Sequence, residues 1–402
     1  MQNARSFARL AILIVSVLCV LGAIAPAQTE SVVYSFTAGN NGDNTAPDSP
    51  VIFDSAGTLY GSTMFGMVYQ LTQSGGSWNE NVLYDFGHSN YSIGGVIFDS
   101  LGNLYGTTAF GGTSSNGSVF ELSPSGSGSW TLRILHSFSA QSAGLFPSTA
   151  VAFDSAGNLY GVTQQGGNST NCINGCGVAF ELKKGASGWQ EQLLHSFGNG
   201  TDGQTPGSPL LLDAAGNLYG TTQGGGSTGN GTVFELIHSS SGWKERILHT
   251  FQAGPDGKFP MCNLRFDASG NIFGVTANGG PINGGTVFEL SPQLNGTWTY
   301  KVLYRFGRSG DVTQPFGSVA FDSAGNLYGA ADGGGTNKVG GVWKLTPQAS
   351  GSWTETVLHS FGSSGDGMNA QYGVTIDASG NLFGTTSSGG ANGDGIVFEV
   401  TP

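Results

Sequence analysis

The stretch GNLYGTT at residues 102–108 decides the fold, because near-copies of it recur along the whole chain. Each copy follows an apolar run that ends in an aspartate, as in Phe98-Asp99. The copies of this aspartate are spaced 45 to 59 residues apart. They are Asp54, Asp99, Asp154, Asp213, Asp267, Asp322 and Asp377.

Every repeat contains four strand-like runs. The apolar run before the aspartate is the first, and the Asn-Leu-Tyr-Gly-Thr-Thr text is the second. The third resembles GTVFEL at residues 231–236, and the fourth ends as in ILHTF at residues 247–251. Repeats of about 40–50 residues built from short strands are typical of β-propeller blades.

The two ends of the chain complement each other. The seventh repeat ends after its third strand at residues 397–400, whereas residues 31–36 carry fourth-strand text without a preceding repeat. The sequence therefore predicts an all-β, closed seven-bladed β-propeller over residues 28–402, with four strands per blade. Residues 31–36 are expected to pair within 372–400 and complete the last blade, because closure removes exposed sheet edges.

The composition fits this architecture and limits the partners. Of 402 residues, 69 are glycine, 11% are aromatic and 10% are charged, with a formal net charge of −12. Turns use glycine, and packed strands use aromatic side chains. The negative charge disfavours nucleic acid and anionic membrane surfaces. We expect a monomer.

The N-terminus has the pattern of a cleaved signal peptide. Arg5 and Arg9 precede an apolar run from Leu10 to Ala25, and Ala25-Pro26-Ala27 provides a small-x-small cleavage site. We expect removal of residues 1–27, a secreted or periplasmic protein and no membrane insertion after cleavage. The open alternatives are a membrane anchor and a lipid anchor at Cys19.

The repeated polar residues are interpreted as structural. In Asp-x-x-Gly-Asn the glycine accepts a positive φ and the aspartate accepts hydrogen bonds within its own turn. One aspartate per turn provides too few oxygens for calcium. His136, His195, His249 and His359 share one fourth-strand position. Because they should lie on separate outer strands, they are not expected to converge on a metal.

Two cysteines lie close together in the longest loop of the third repeat. Cys172 and Cys176 flank Ile-Asn-Gly, and an exported chain favours disulfides. We predict that they are joined, and that Cys262 is a buried free thiol.

The text Asp-x-x-Gly-Asn-Leu-Tyr-Gly-Thr-Thr, followed by a Gly-Gly loop and Gly-Thr-Val-Phe-Glu-Leu, resembles the GloVer-type (Gloeo_Verruco) bacterial tandem repeat over nearly all of residues 31–402. The resemblance implies an exported propeller, often with a C-terminal sorting anchor, and no assigned activity. This chain ends at Thr401-Pro402, which favours release. Asp-x-x-Gly-Asn propellers include metal-dependent lactonases and lyases, but no catalytic residue carries over.

Three functions remain open at this point. The first is a non-catalytic, exported binding propeller with a carbohydrate or protein ligand and no cofactor. The second is a lactonase- or lyase-like propeller enzyme acting on carbohydrate, with a metal at the channel mouth. The third is a structural cell-envelope protein. Polar, non-repeated residues converging on the central channel would favour the first two.

Acidic residues near one rim of the ring provide a candidate ligand site. They lie in the loops that lead from the fourth strand of one repeat to the first strand of the next, and we call these the connecting loops. Such a rim suits calcium or sugar hydroxyls, although each aspartate also suits capping of its own turn. The residues are Asp43, Asp202, Asp256, Asp311 and Asp366.

Overall fold

Seven four-stranded antiparallel sheets follow one another along the chain and form the blades of a β-propeller. The computed structural model describes residues 29–37, 46–87, 92–126, 128–186 and 188–402. The predicted signal peptide and Asp43 therefore lie outside the described residues. Blades are numbered by their repeat aspartate, from blade 1 with Asp54 to blade 7 with Asp377.

Each blade has its first strand at the inner edge of the sheet and its fourth strand at the outer edge. The first strands are β2 (Ile52–Phe53), β6 (Ser92–Phe98), β10 (Ala152–Phe153), β15 (Leu211–Leu212), β19 (Arg265–Phe266), β23 (Val312–Phe321) and β28 (Val374–Ile376). The second strands are β3 (Leu59–Ser62), β7 (Leu104–Thr108), β11 (Leu159–Thr163), β16 (Leu218–Gly225), β20 (Ile272–Thr276), β24 (Leu327–Gly334) and β29 (Leu382–Thr386).

The third and fourth strands form long hairpins in blades 1 to 6, and in blade 7 they come from opposite ends of the chain. The third strands are β4 (Met67–Ser74), β8 (Ser118–Pro124), β12 (Val178–Gly185), β17 (Thr232–Ser239), β21 (Thr286–Pro292), β25 (Gly341–Pro347) and β31 (Ile396–Thr401). The fourth strands are β5 (Ser77–Asp85), β9 (Trp130–Ser137), β13 (Gly188–Ser196), β18 (Gly242–Thr250), β22 (Trp298–Arg305), β26 (Trp353–Ser360) and β1 (Thr29–Ser35).

The loops add short pieces of sheet and two 3-10 turns. The strands β14 (Gly203–Pro206) and β27 (Gly367–Met368) lie in connecting loops, whereas β30 (Ser388–Gly389) lies between the second and third strands of blade 7. The 3-10 turns are η1 (Gln141–Ala143) and η2 (Gly254–Asp256). β14 pairs with the far end of β16, and β27 pairs with β30. The connecting loops into blades 4 and 7 are thereby held against the second strand of the blade or against the loop that follows it.

The N-terminal strand completes blade 7, as the sequence predicted. β1 pairs antiparallel with β31, with Thr29 opposite Thr401 and Val32 opposite Phe398. Beyond the strand, the Phe36 N–H donates to the Gly395 carbonyl at 3.0 Å. The sheet order in blade 7 is β1-β31-β29-β28, so both ends of the described chain lie in one sheet.

Side-chain packing continues from the last blade to the first. Phe36 is fully buried and belongs to a cluster with Tyr69 of blade 1 and Val397 of blade 7. At the inner edge, Thr385 Oγ1 donates to the Ser49 carbonyl at 3.0 Å. These contacts close the ring.

The outer strands share one irregularity. In six blades the pairing of third and fourth strands shifts at the same place, as between Val233 and Phe234, and β1 carries the shift between Val32 and Tyr34. Such bulges twist an edge strand and make it a poor template for another chain. No helix among the described residues is long and apolar enough to cross a membrane.

Candidate functional site

A cavity opens at the centre of the ring, on the face that carries the connecting loops. It has a volume of about 230 Å³, and every blade contributes to its lining. Asp48 precedes β2, and Tyr372 precedes β28 at the other end of the chain. Antiparallel topology places the loops between second and third strands on this same face, and the Asp-x-x-Gly-Asn turns on the opposite one.

The cavity wall is built from positions where the repeats differ. Its polar side chains include Asp48, Ser148, Gln164, Gln223, Asn263 and Tyr372. Gln164 follows Thr163 of blade 3, where Ala277 follows the same Gly-Val-Thr text in blade 5. The repeated strands therefore form a frame, and the cavity chemistry comes from residues outside the repeated text.

Several polar atoms in the residues that line this cavity have no hydrogen-bond partner in the part of the chain that the structure describes. Asp48 is 2% exposed, and its Oδ1 accepts a hydrogen bond from Ser62 Oγ at 3.0 Å. The other oxygen, Oδ2, is buried without a hydrogen bond among the described residues, as are Ser148 Oγ and Thr149 Oγ1. Buried polar groups are normally hydrogen-bonded. The wall of the cavity therefore holds unsatisfied hydrogen-bonding groups close behind its surface.

Burial disfavours charge on the two titratable residues of the cavity wall. It raises the pKa of the Asp48 carboxyl well above its ordinary value, and the hydrogen bond from Ser62 opposes this only in part. The pKa of Tyr372 is also raised, by burial first and then by the charges of Asp48 and Asp332. A protonated carboxyl and a phenol donate and accept hydrogen bonds without carrying charge.

Apolar groups share the lining. Met261 and Phe316 line the cavity, and Met261 is 37% exposed. Small-ligand sites combine apolar walls with a few polar groups in this way.

The four described aspartates of the predicted acidic rim lie outside this cavity. Each accepts a hydrogen bond from the outer strand that precedes its loop. The donors are His195, His249, Tyr304 and His359. The distances are 2.9 Å for Asp202, 3.1 Å for Asp256, 3.1 Å for Asp311 and 3.0 Å for Asp366. Three of them also accept a backbone N–H of their own turn, from Gly198, Gly307 or Gly362, and Asp256 accepts that of Gln252. No hydrogen bond among the described residues joins two of these aspartates.

A glutamate of the following blade completes two of these groups. His195 Nε2 lies 2.9 Å from Asp202 Oδ2 and 3.8 Å from Glu245 Oε2. His359 and Asp366 form the equivalent group with Glu30 of β1. In each group, one ligand atom from every residue lies within 4.8 Å of the others. The four histidines lie on separate outer strands, as expected, but two of them converge with carboxylates of a neighbouring blade.

The sequence contained a signal for these groups. The histidine stands two residues before the fourth-strand phenylalanine, and the glutamate stands two residues after the position of the fourth-strand tryptophan. Only the structure shows that these positions meet across adjacent blades.

The two carboxyls of the blade 3 group differ in acidity. Burial, followed by the neighbouring Asp202 carboxylate, raises the pKa of Glu245 to about 9. Burial alone would also raise the pKa of Asp202, but its contacts with His195 and Glu245 lower it, the hydrogen bond with His195 first.

Other blades carry incomplete versions of the group. In blade 5, Tyr304 replaces the histidine and donates to Glu355 at 3.3 Å. In blade 4, His249 retains its aspartate but stacks on Tyr300 at 3.6 Å, where other blades have the glutamate. In blade 2, His136 Nε2 lies 3.5 Å from Glu191, and Ala143 occupies the position of the aspartate.

The repeat aspartates use their oxygens within their own turns. Asp213 Oδ1 accepts the N–H groups of Ala215 and Asn217 at 2.9 and 2.8 Å. Its Oδ2 accepts from Asn217 Nδ2 at 2.9 Å and from the Tyr219 hydroxyl at 3.0 Å. Oδ1 accepts the same two N–H groups in the turns of Asp54, Asp99, Asp154, Asp267, Asp322 and Asp377. These contacts fix the hairpins between first and second strands.

The cysteines of blade 3 are joined in the loop between the second and third strands. Cys172 and Cys176 form a disulfide, and Asn171 of the same loop donates to the Gly198 carbonyl at 2.7 Å. The loop is thereby fixed against the connecting loop that carries Asp202. Cys262 is free and buried, and burial raises its pKa to about 12.

One solved structure shows a fold similar to that of this chain. The extracellular domain of a hybrid two-component system from B. thetaiotaomicron aligns with 93% of this chain at 14% identity and a TM-score of 0.58. This chain spans 39% of the length of that structure.

Two further structures align more loosely. An oxidoreductase described as a glucose dehydrogenase from Thermus thermophilus has a TM-score of 0.43 at 14% identity, covering 93% of this chain and all (100%) of that one. A luciferin-regenerating enzyme has a TM-score of 0.48 at 14% identity, covering 94% and 96%.

Sequence comparisons give one assignment. No curated protein matches the chain. The Gloeobacter/Verrucomicrobia repeat matches residues 21–173 and 131–318, two overlapping segments that together cover most of the chain. The match agrees with the resemblance of the repeated strand text. This seven-bladed propeller therefore belongs to the Gloeobacter/Verrucomicrobia repeat family.

Proposed function

We propose that this protein is an exported, non-catalytic binding protein that holds a neutral carbohydrate in the cavity at the mouth of the central channel. The observation that carries the proposal is the set of polar side-chain atoms that Gln164, Gln223 and Asn263 bring to the wall of this cavity. Sugar hydroxyls both donate and accept hydrogen bonds, so they complement such atoms.

The electrostatics of the cavity favour a neutral ligand. Burial raises the pKa of the Asp48 carboxyl well above its ordinary value, so a negative charge on that group is disfavoured in the cavity. The amides of Gln164, Gln223 and Asn263 add donors and acceptors at the wall. Met261 and Phe316 provide apolar surface for the C–H groups of a sugar ring.

The same residues make catalysis at this cavity the weaker hypothesis. Acid–base catalysis near neutral pH uses groups that titrate there. Among the described lining residues, Asp48 and Tyr372 are the titratable ones, and burial raises both pKa values. Sugar binding therefore needs no titratable group beyond these two. Turnover by a lactonase- or lyase-like route does need one.

Export is supported by the N-terminal sequence. The basic start, apolar run and Ala25-Pro26-Ala27 site have the pattern of a cleaved signal. The Cys172–Cys176 disulfide is of the kind that persists in oxidising compartments. We propose that mature protein begins at Gln28 and acts as a monomer in the periplasm or outside the cell.

The ligand class is tested with an array of neutral mono- and oligosaccharides, followed by calorimetry on the sugars that bind. Gln164→Ala and Gln223→Ala should each weaken binding at least about tenfold, since each removes hydrogen bonds from the cavity wall. Gln73→Ala is the matched control, because Gln73 lines a groove between blades 7 and 1 beside the Asp54 turn.

The result that contradicts the proposal is binding that is unchanged in both cavity variants or lost equally in Gln73→Ala. The absence of binding to every sugar on the array would refute carbohydrate as the ligand class.

A further inference from the structure

We propose that His195, Asp202 and Glu245 form a binding site for a divalent transition-metal ion between blades 3 and 4. The site lies where the outer strand β13, the connecting loop and the neighbouring outer strand β18 meet. It is separate from the channel-mouth cavity, which none of the three residues lines.

The geometry gathers three ligand atoms. His195 Nε2 lies 2.9 Å from Asp202 Oδ2 and 3.8 Å from Glu245 Oε2, and all three residues place one ligand atom within 4.8 Å of the others. Ligands at about 2.0–2.2 Å from a zinc ion lie about 3–4 Å apart from one another. Small side-chain rotations therefore convert the observed spacing into a coordination shell.

Unpartnered oxygens point to an absent ligand. The Asp202 side chain is 5% exposed, and its Oδ1 is buried without a hydrogen bond among the described residues. Glu245 Oε1 is in the same state. A buried carboxylate oxygen without a donor is costly, and a cation bound between the two carboxylates would satisfy both.

The second oxygen of Asp202 keeps the loop in place. Asp202 Oδ2 accepts the Gly198 N–H at 3.0 Å in addition to its contact with His195. A metal at Nε2 requires the imidazole proton to reside on Nδ1, so the ion replaces the hydrogen bond between His195 and Asp202. The Gly198 N–H bond is untouched by this exchange.

The ligand types select the kind of ion. One imidazole nitrogen and two carboxylates suit zinc or another first-row divalent ion, whereas calcium prefers a shell of oxygens. The calcium expected at the acidic rim is therefore the poorer candidate here. Glu30, His359 and Asp366 repeat the arrangement between blades 6 and 7 and provide a second site of the same composition.

The experiment measures zinc bound to the mature chain after removal of any affinity tag and treatment with a chelator. Calorimetry with Zn²⁺ alone should give two sites for the wild type. Glu245→Gln keeps the loop aspartate, and it should remove one site or weaken it at least about tenfold. A Glu245→Gln/Asp366→Asn variant should lose both sites.

Asp256→Asn is the matched control, because Asp256 has the same loop position and histidine contact but faces Tyr300 instead of a glutamate. It should leave both sites intact. Co²⁺ absorption provides a second readout, since a visible band that disappears in His195→Gln reports nitrogen ligation directly.

Three results would overturn the proposal: no zinc bound by the wild type, unchanged zinc binding in Glu245→Gln, or equal losses in Asp256→Asn. Circular dichroism of each variant in chelator confirms that a loss of binding occurs in folded protein.

Discussion

At the scale of single residues, the repeated Leu-Tyr-Gly text is explained by the strand beside it. In each blade the glycine of the second strand lies opposite the large aromatic residue of the third, as Gly220 lies opposite Phe234. A Cβ built on Gly220 would lie 2.6 Å from the Phe234 ring. The glycine is therefore required by the ring that covers it.

Gly220→Ala should lower the free energy of unfolding by about 1–3 kcal/mol, because overpacking forces the Phe234 ring from its position. Gly224→Ala, in the same strand, is the control, since its nearest neighbour would be an ordinary contact at 3.9 Å from Gln204. Urea unfolding of both variants gives the comparison. Equal losses for the two would refute the packing explanation. A smaller cost of Gly220→Ala in a Phe234→Leu background would identify the ring as its cause.

Glu191, on the outer strand β13 of blade 3, allows the effect of burial on a carboxyl to be tested by pH. Burial raises its pKa to about 7, above the value near 4.5 that the unfolded chain has. The stabilising effect of the protonated form is thus complete below about pH 4.5 and is lost as the pH rises through 7. Glu191→Gln removes this loss, because an amide does not ionise.

As the pH rises from 5 to 8, we expect Glu191→Gln to become more stable than the wild type by about 2 kcal/mol. This figure follows from the size of the pKa shift. Burial lowers the pKa of the neighbouring His136 and so favours its neutral form, which limits its ion pairing with Glu191. Denaturant midpoints at the two pH values measure the difference. A difference that does not change with pH would show that Glu191 has an ordinary pKa.

At the scale of elements, the fourth strand forms the outer edge of its own blade and also contacts the neighbouring blade. In six of the seven blades the strand is followed by a fully buried phenylalanine, such as Phe36, Phe251 and Phe361, whereas Phe86 of blade 1 is only partly buried. The bulge before it turns an apolar side chain such as Leu194 or Leu358 inward as well. The outer edge is therefore anchored to the core although half of its side chains face solvent.

Because β1 takes the place of a fourth strand, its buried phenylalanine should contribute as much to stability as the equivalent residue of another blade. Phe36→Ala and Phe251→Ala should each destabilise by about 3–5 kcal/mol, because both rings fill equivalent buried positions. Thermal and urea unfolding of the two variants tests this. A much smaller effect of Phe36→Ala would mean that the N-terminal strand is a dispensable addition to an already stable ring.

At the scale of the whole molecule, the architecture was predictable and the sites were only partly so. Ring closure followed from fourth-strand text at residues 31–36, since one strand type was missing from the last repeat and present before the first. The cavity residues were harder to predict because Asp48, Ser148 and Gln223 stand at positions without repeated text. The contact between Glu245 and His195 depends on how adjacent blades are aligned, which repeats within one blade do not specify.

The closed ring predicts that the N-terminal strand acts through its place in the sheet and not through its place in the sequence. β31 ends at Thr401, which lies opposite Thr29. A two-residue turn separates the paired ends Ser239 and Gly242 in blade 4. A chain that starts at Ala46 and carries residues 29–37 after Pro402, through a short turn of this kind, would build the same hairpin in blade 7.

We expect deletion of residues 29–37 to expose β31 and to cause aggregation or a large fall in the melting temperature, because an unpaired edge and the empty Phe36 position remain. The permuted chain should regain a melting temperature close to that of the wild type. A version with the nine residues in scrambled order is the control, since it adds the same mass without the apolar pattern of β1. Thermal unfolding and size-exclusion chromatography distinguish the three chains. If the scrambled segment rescues as well as the native one, the sheet edge needs only any covering strand, and the side-chain packing of Val33 and Phe36 does not close the ring.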